Sequence, residues 1–157
     1  MSKENNKCKP FAWGYNNYYQ LGYPTFRSTF VNVCSIDDVI QVDGGESHSL
    51  ALRSDGCVFA WGDNQFGQLG DGTTTDRNAP TKVQGIDNIS FISAGNNHSL
   101  AVNSYGTVFA WGRNNEGQLG NGTTDDSDVP VQVTHVAGFT DIVAVAGGNG
   151  RSLALKS

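Results

Sequence analysis

Apolar positions in the middle of the chain fall into four short stretches, Ile89 to Ala94, Ser99 to Asn103, Thr107 to Trp111 and Val129 to Val133, with Gly, Asn, Asp or Pro between them. Stretches of this length bounded by turn formers predict four strands. The second and third are joined by Ser104-Tyr-Gly106, and in an earlier copy by Ser54-Asp-Gly56. A glycine there can take positive φ and close a tight antiparallel hairpin. Ser49-Leu-Ala-Leu52, Ser99-Leu-Ala-Val102 and Ser152-Leu-Ala-Leu155 alternate small and large residues. That alternation suits a strand lying between two packed sheets. The last strand carries Pro80 or Pro130, which an outer edge tolerates because its N–H is not needed there.

The pattern is tandem. Val58-Phe-Ala-Trp-Gly62, Gln68-Leu-Gly70 and Asp71-Gly-Thr-Thr74 return as Val108-Phe-Ala-Trp-Gly112, Gln118-Leu-Gly120 and Asn121-Gly-Thr-Thr124, and a degraded copy reads Phe11-Ala-Trp-Gly14 and Gln20-Leu-Gly22. A period of about fifty residues built from short strands means one supersecondary unit per repeat, which buries its apolar face only against neighbours. Twenty glycines argue for many tight turns and against long helices. The predicted class is all-β, with four-stranded antiparallel blades.

A net charge of −5 with ten Lys and Arg opposes binding to a phosphate backbone, so no nucleic-acid partner is expected. Cys8, Cys34 and Cys57 do not recur at equivalent repeat positions and form no C-x-x-C pair; they read as free thiols of a reducing compartment. No apolar run has the ~20 residues of a membrane span or resembles a signal peptide. An intracellular, cytoplasmic protein without membrane contact, cofactor or metal is expected.

Trp13, Trp61 and Trp111 share one strand position and read as fillers of the gaps between stacked sheets. Gly62 and Gly112 follow two of them. His48 and His98 sit fifty residues apart, with Arg151 in the third copy, and read as hydrogen-bonded structural histidines at a strand start. The loops from Asp71 to Asp76 and from Asn121 to Asp126 lack the spacing and terminal Glu of a calcium loop. Gly147-Gly-Asn-Gly150 opens a strand, so it lacks the helix N-terminus of a phosphate site. No catalytic set is supported by the repeats, and no enzyme is expected.

The motif Val-Phe-Ala-Trp-Gly-x-Asn-x-x-Gly-Gln-Leu-Gly-x-Gly-Thr-Thr, followed by Pro, Val and Ala-Gly-x-x-His-Ser-Leu-Ala, resembles the repeat of the regulator of chromosome condensation family from Phe11 to Leu155. The resemblance implies a β-propeller with the strand leading into the Gly-x-x-His segment nearest the axis, and typically seven blades. Guanine-nucleotide exchange in that family uses an inter-blade insertion, with a basic tail for chromatin, and this sequence shows neither. Light sensing in a plant branch uses Gly-Trp-Arg-His-Thr segments; here the segments read Gly45-Glu-Ser-His-Ser49, Gly95-Asn-Asn-His-Ser99 and Gly148-Asn-Gly-Arg-Ser152. The first copy has Tyr23-Pro-Thr-Phe26 in place of the Gly-Thr-Thr loop, and the third has extra residues around 137–140.

The phase of the repeat divides the chain into an N-terminal extension (1–10), a half-blade (11–37), two blades (38–87 and 88–137) and a second half-blade (138–157). Each half exposes a strand edge, at Phe11, Ala12 and Trp13 and at Ser152, Leu153, Ala154 and Leu155. Such edges invite pairing. Three blades are too few for a ring, which needs roughly four to eight, so the expectation is a homodimer with both composite blades formed in trans; the same phase would also arise in a piece of a longer propeller. The function expected is a noncatalytic scaffold whose loops Asn64, Gln65, Phe66 and Asn114, Asn115, Glu116 face a protein partner. A lectin-like propeller and a nucleotide-exchange factor are the rival readings.

Overall fold

A computed structural model describes residues 8–133 and 139–157. The described residues form twelve β-strands and no helix. Two of the sheets are full blades of consecutive antiparallel strands. The first comprises β3 (Val39–Gly44), β4 (His48–Arg53), β5 (Val58–Gly62) and β6 (Arg77–Lys82); the second comprises β7 (Ile89–Ala94), β8 (His98–Asn103), β9 (Val108–Gly112) and β10 (Ser127–Gln132). Two-stranded half-blades flank them, β1 (Phe11–Gly14) with β2 (Arg27–Asn32) and β11 (Ile142–Gly147) with β12 (Ser152–Lys156).

Local chemistry explains the elements. Gly56 and Gly106 take φ of +79° and +76° in the hairpins that the Ser-x-Gly linkers predict. The last strand begins at Ser127, earlier than the apolar run suggests, because Ser127 pairs with Gly112 across an irregularity between Ser127 and Val131. Gly62 is bound to glycine twice over. Its φ is +109°, and a Cβ would lie 2.5 Å from the Ser47 carbonyl oxygen. Pro80 and Pro130 lie within the outer strands β6 and β10, where no further strand needs their N–H.

The core lies between blades. Leu50, Leu52, Val58, Leu69 and Val83 of the first full blade pack with Ile92, Ala101 and Trp111 of the second. Leu100, Val108 and Leu119 pack with Ile142 and Val145 of the C-terminal half-blade. Val33 and Ile36 pack with Ala51 and Trp61. Burial of each large side chain contributes about 1.5–3 kcal/mol, so a blade gains most of its stability from neighbours. Side chains also tie the inner strands together. The Gln41 amide donates to the Ile92 carbonyl at 2.8 Å and accepts from the Ile92 N–H at 3.0 Å, Asp43 accepts from Ala94 N–H at 2.9 Å, and Ser93 Oγ accepts from Gly147 N–H at 3.2 Å.

The N-terminal half-blade reaches back before Phe11. Val33 N–H donates to the Pro10 carbonyl as Val83 donates to Val58 and Val133 to Val108, so Pro10 stands in the place of Val58. Of the extra residues around 137–140, 137 and 138 lie outside the described residues.

Candidate functional site

Each blade carries the same polar clamp after its third strand. Asn64 Oδ1 accepts from Leu69 N–H at 2.9 Å, its Nδ2 donates to the Thr73 and Thr75 carbonyls at 2.9 and 3.1 Å, and its own N–H donates to Asp76 at 2.8 Å. Asn114 repeats this with Leu119, Thr123, Asp125 and Asp126, and Asn16 with Leu21, Tyr23 and Thr25. Asn64 and Asn114 are fully buried. This corrects the expectation that they face a partner: the backbone carbonyls of the Gly-Thr-Thr loop draw the amide inward. Gln65, Asn115 and Glu116 are exposed and Phe66 is half-buried under Arg113, whose guanidinium lies 4.8 Å from the ring centroid. Replacing Asn114 by Ala leaves several buried backbone groups unpaired, at about 1–3 kcal/mol each; urea denaturation should show a loss of at least that size, with Gln65→Ala near zero as control.

The loop from Asp71 to Asp76 is closed by its own contacts. Arg77 Nε donates to Asp71 at 2.7 Å, and Thr73 N–H and Oγ1 donate to it at 3.1 and 2.7 Å. Burial pushes the Asp71 carboxyl up, but these donors outweigh it and hold the group below the ordinary carboxylate value.

A second repeated unit joins one blade to the next. Ser99 Oγ donates to the Gln68 carbonyl at 2.8 Å, so its remaining partner, His48 Nε2 at 3.0 Å, must be the donor. His48 therefore carries its proton on Nε2; the ring is fully buried, and burial pushes its pKa down to about 3, which keeps it neutral. His98 does the same through Ser152, which donates to the Gln118 carbonyl at 2.7 Å, and its pKa falls to about 4. At the preceding junction the Gln20 carbonyl accepts from Ser49 Oγ at 2.7 Å and from the Trp61 indole at 2.8 Å. Sequence reasoning found these histidines by repetition but not their serine partners one unit away.

The two ends leave this unit incomplete. Trp13 is 66% exposed, against 2% for Trp61 and 0% for Trp111. Ser152, Leu153, Ala154 and Leu155 are exposed along β12, and Phe11 is exposed on β1 with Ala12 half-buried beside it. At the other face Val42 and Ile40 of β3 are 58% and 63% exposed, while Ile92, the counterpart of Val42, is fully buried.

Three segments, 11–52, 55–102 and 105–155, match the family model of the regulator of chromosome condensation (RCC1) repeat, and a second model of that repeat matches 39–68 and 89–118. The chain belongs to the RCC1 repeat family. It is 36% identical over 78 residues to the ultraviolet-B receptor UVR8 of Arabidopsis thaliana, a match covering 47% of this chain and 18% of that protein. A similar match, 37% over 78 residues, links it to the human E3 ubiquitin-protein ligase HERC2, covering 47% of this chain and 2% of that one. Among solved structures, human WBSCR16 superposes with a TM-score of 0.84 at 27% identity over 94% of this chain, and Prp20p of Saccharomyces cerevisiae, described with its binding to Gsp1p and histones, with 0.81 at 25% over 96%. This chain spans 40% of each of those two structures and a fifth or less of the two sequence relatives. The expected β-propeller fold is borne out. Among the described residues no helix is long and apolar enough to cross a membrane.

Proposed function

We propose that this RCC1-type propeller segment is a noncatalytic protein-interaction module whose free blade edges are completed by a second copy of the chain, giving a six-bladed ring. The carrying observation is the complementary pair of open faces. β12 presents Leu153 and Leu155, 64% and 62% exposed, and their counterparts, Leu50 and Leu52 in one blade and Leu100 and Val102 in the next, lie in the clusters packed between blades. β3 presents Val42, whose counterpart Ile92 receives such a leucine. The contact is head-to-tail yet closes after two steps, so assembly stops without an open filament. Gln65, Phe66, Asn115 and Glu116 then form a repeated rim available to a different protein. Sedimentation at micromolar concentration is expected to give twice the chain mass, and Leu153→Asp with Leu155→Asp to give a monomer. A stable, folded wild-type monomer would refute the reading.

A further inference from the structure

Inside the chain, each third-strand tryptophan occupies a seat on the preceding blade. Trp111 lies over Leu50, Val58, Leu69 and Val83 and against Gly70, where a Cβ would come 2.7 Å from the indole nitrogen. Trp61 lies against Gly22 in the same way, at 3.2 Å. The third seat is built but holds no indole. Gly120 matches Gly70, yet a Cβ there would meet only Val133. Beside it lies a cavity of about 360 Å³ lined by Leu100, Val108, Leu119, Gly120, Val133 and Leu153, among others. The first five are the repeat counterparts of Leu50, Val58, Leu69, Gly70 and Val83.

We propose that this cavity is an indole receptor and that Trp13 of a second copy fills it, which rests on the ring-completion reading above. Register supports the choice. In both full blades the second and third strands pair as Ser49 with Trp61, Ala51 with Phe59 and Leu52 with Val58, and as Ser99 with Trp111, Ala101 with Phe109 and Val102 with Val108. Carried to the open edges, this sets Ser152 opposite Trp13, Ala154 opposite Phe11 and Leu155 opposite Pro10.

A proline at an inter-strand position would normally forbid such pairing. Arg53 N–H donates to the Cys57 carbonyl and Asp63 N–H to the Ser47 carbonyl, both at 2.9 Å, which makes Leu52 with Val58 a non-hydrogen-bonded pair. Pro10 therefore stands where no N–H is required. The Trp61 indole N–H reaches the Gln20 carbonyl whereas that of Trp111 finds no partner, so the seat is defined by packing rather than by that bond. Arg151 takes the place of His48, so its guanidinium donates to the second copy's Ser49 Oγ, the one serine of the three without a histidine donor.

The test is the environment of Trp13 across the assembly range. Emission of the wild type minus that of Trp13→Phe should shift blue with rising concentration and lose acrylamide quenching. Trp13→Ala should weaken self-association by about 30-fold or more, the size of an interface anchor, without lowering the thermal midpoint of the dissociated chain, because Trp13 is exposed there. A dimer in which Trp13 stays quenchable, or in which Trp13→Ala associates as tightly as wild type, overturns the indole seat while leaving ring completion standing. A monomer at all concentrations overturns both.

Discussion

Trp111→Ala is expected to cost about 3–5 kcal/mol of unfolding free energy, the usual loss for truncating a buried tryptophan. Trp111 is wholly buried and shares the apolar cluster across the junction between the two full blades with Leu50, Leu52, Val58, Leu69 and Val83 of the first. Against a total stability of roughly 5–15 kcal/mol, a urea titration should show the midpoint falling by about a fifth or more. The nature of the loss can be separated from its size. Trp111 Nε1 is buried with no hydrogen-bond partner, so Trp111→Phe removes volume alone. Trp61→Phe also removes the 2.8 Å bond to the Gln20 carbonyl. We therefore expect Trp61→Phe to cost more than Trp111→Phe. Equal losses for the two Phe variants would show that the indole N–H contributes nothing.

Why the strands could be read from sequence, and the site less well, follows from the range of each interaction. Strands β7 to β9 are written locally: alternating apolar residues and a glycine able to take positive φ decide them within about fifteen residues. The start of β10 escaped because Ser127 and Asp128 are polar and join the ladder only through the irregular pairing with Gly112. Asn64 and Asn114 were misplaced for a similar reason. An asparagine in a Gly-rich loop resembles an exposed turn former, and only the fold of the following Gly-Thr-Thr loop brings the carbonyls at Thr73 and Thr123 onto the amide. His48 and Ser99 lie 51 positions apart, so neither residue's local sequence announces the other. Repetition helps most where it fails. The seat beside Gly120 is visible because two filled versions of it exist in the same chain.

Acidification should destabilise this protein before most of its carboxylates titrate. His48 and His98 have folded pKa values of about 3 and about 4, depressed chiefly by burial, below the ~6.5 of an exposed imidazole. A depressed histidine binds its proton more readily in the unfolded chain, so stability rises with pH between the two values. It is complete above about pH 6.5 and is lost as pH falls toward 4. Each ring contributes a slope of about 1.4 kcal/mol per pH unit in that window, so two units of acidification remove several kcal/mol. Asp71, held below the ordinary carboxylate value, loses its contribution only at lower pH. Asp63 is displaced upward, chiefly by burial, and works in the opposite sense. The decisive comparison is the urea midpoint at pH 7 and pH 4.5 for wild type and for His48→Gln with His98→Gln, where the glutamine amide can still donate to Ser99 and Ser152 but cannot take a proton. The double variant is expected to be less stable at pH 7 and nearly insensitive over this window. A wild-type midpoint that stays flat would mean that the rings accept protons at Nδ1 in place, and that burial does not hold them neutral.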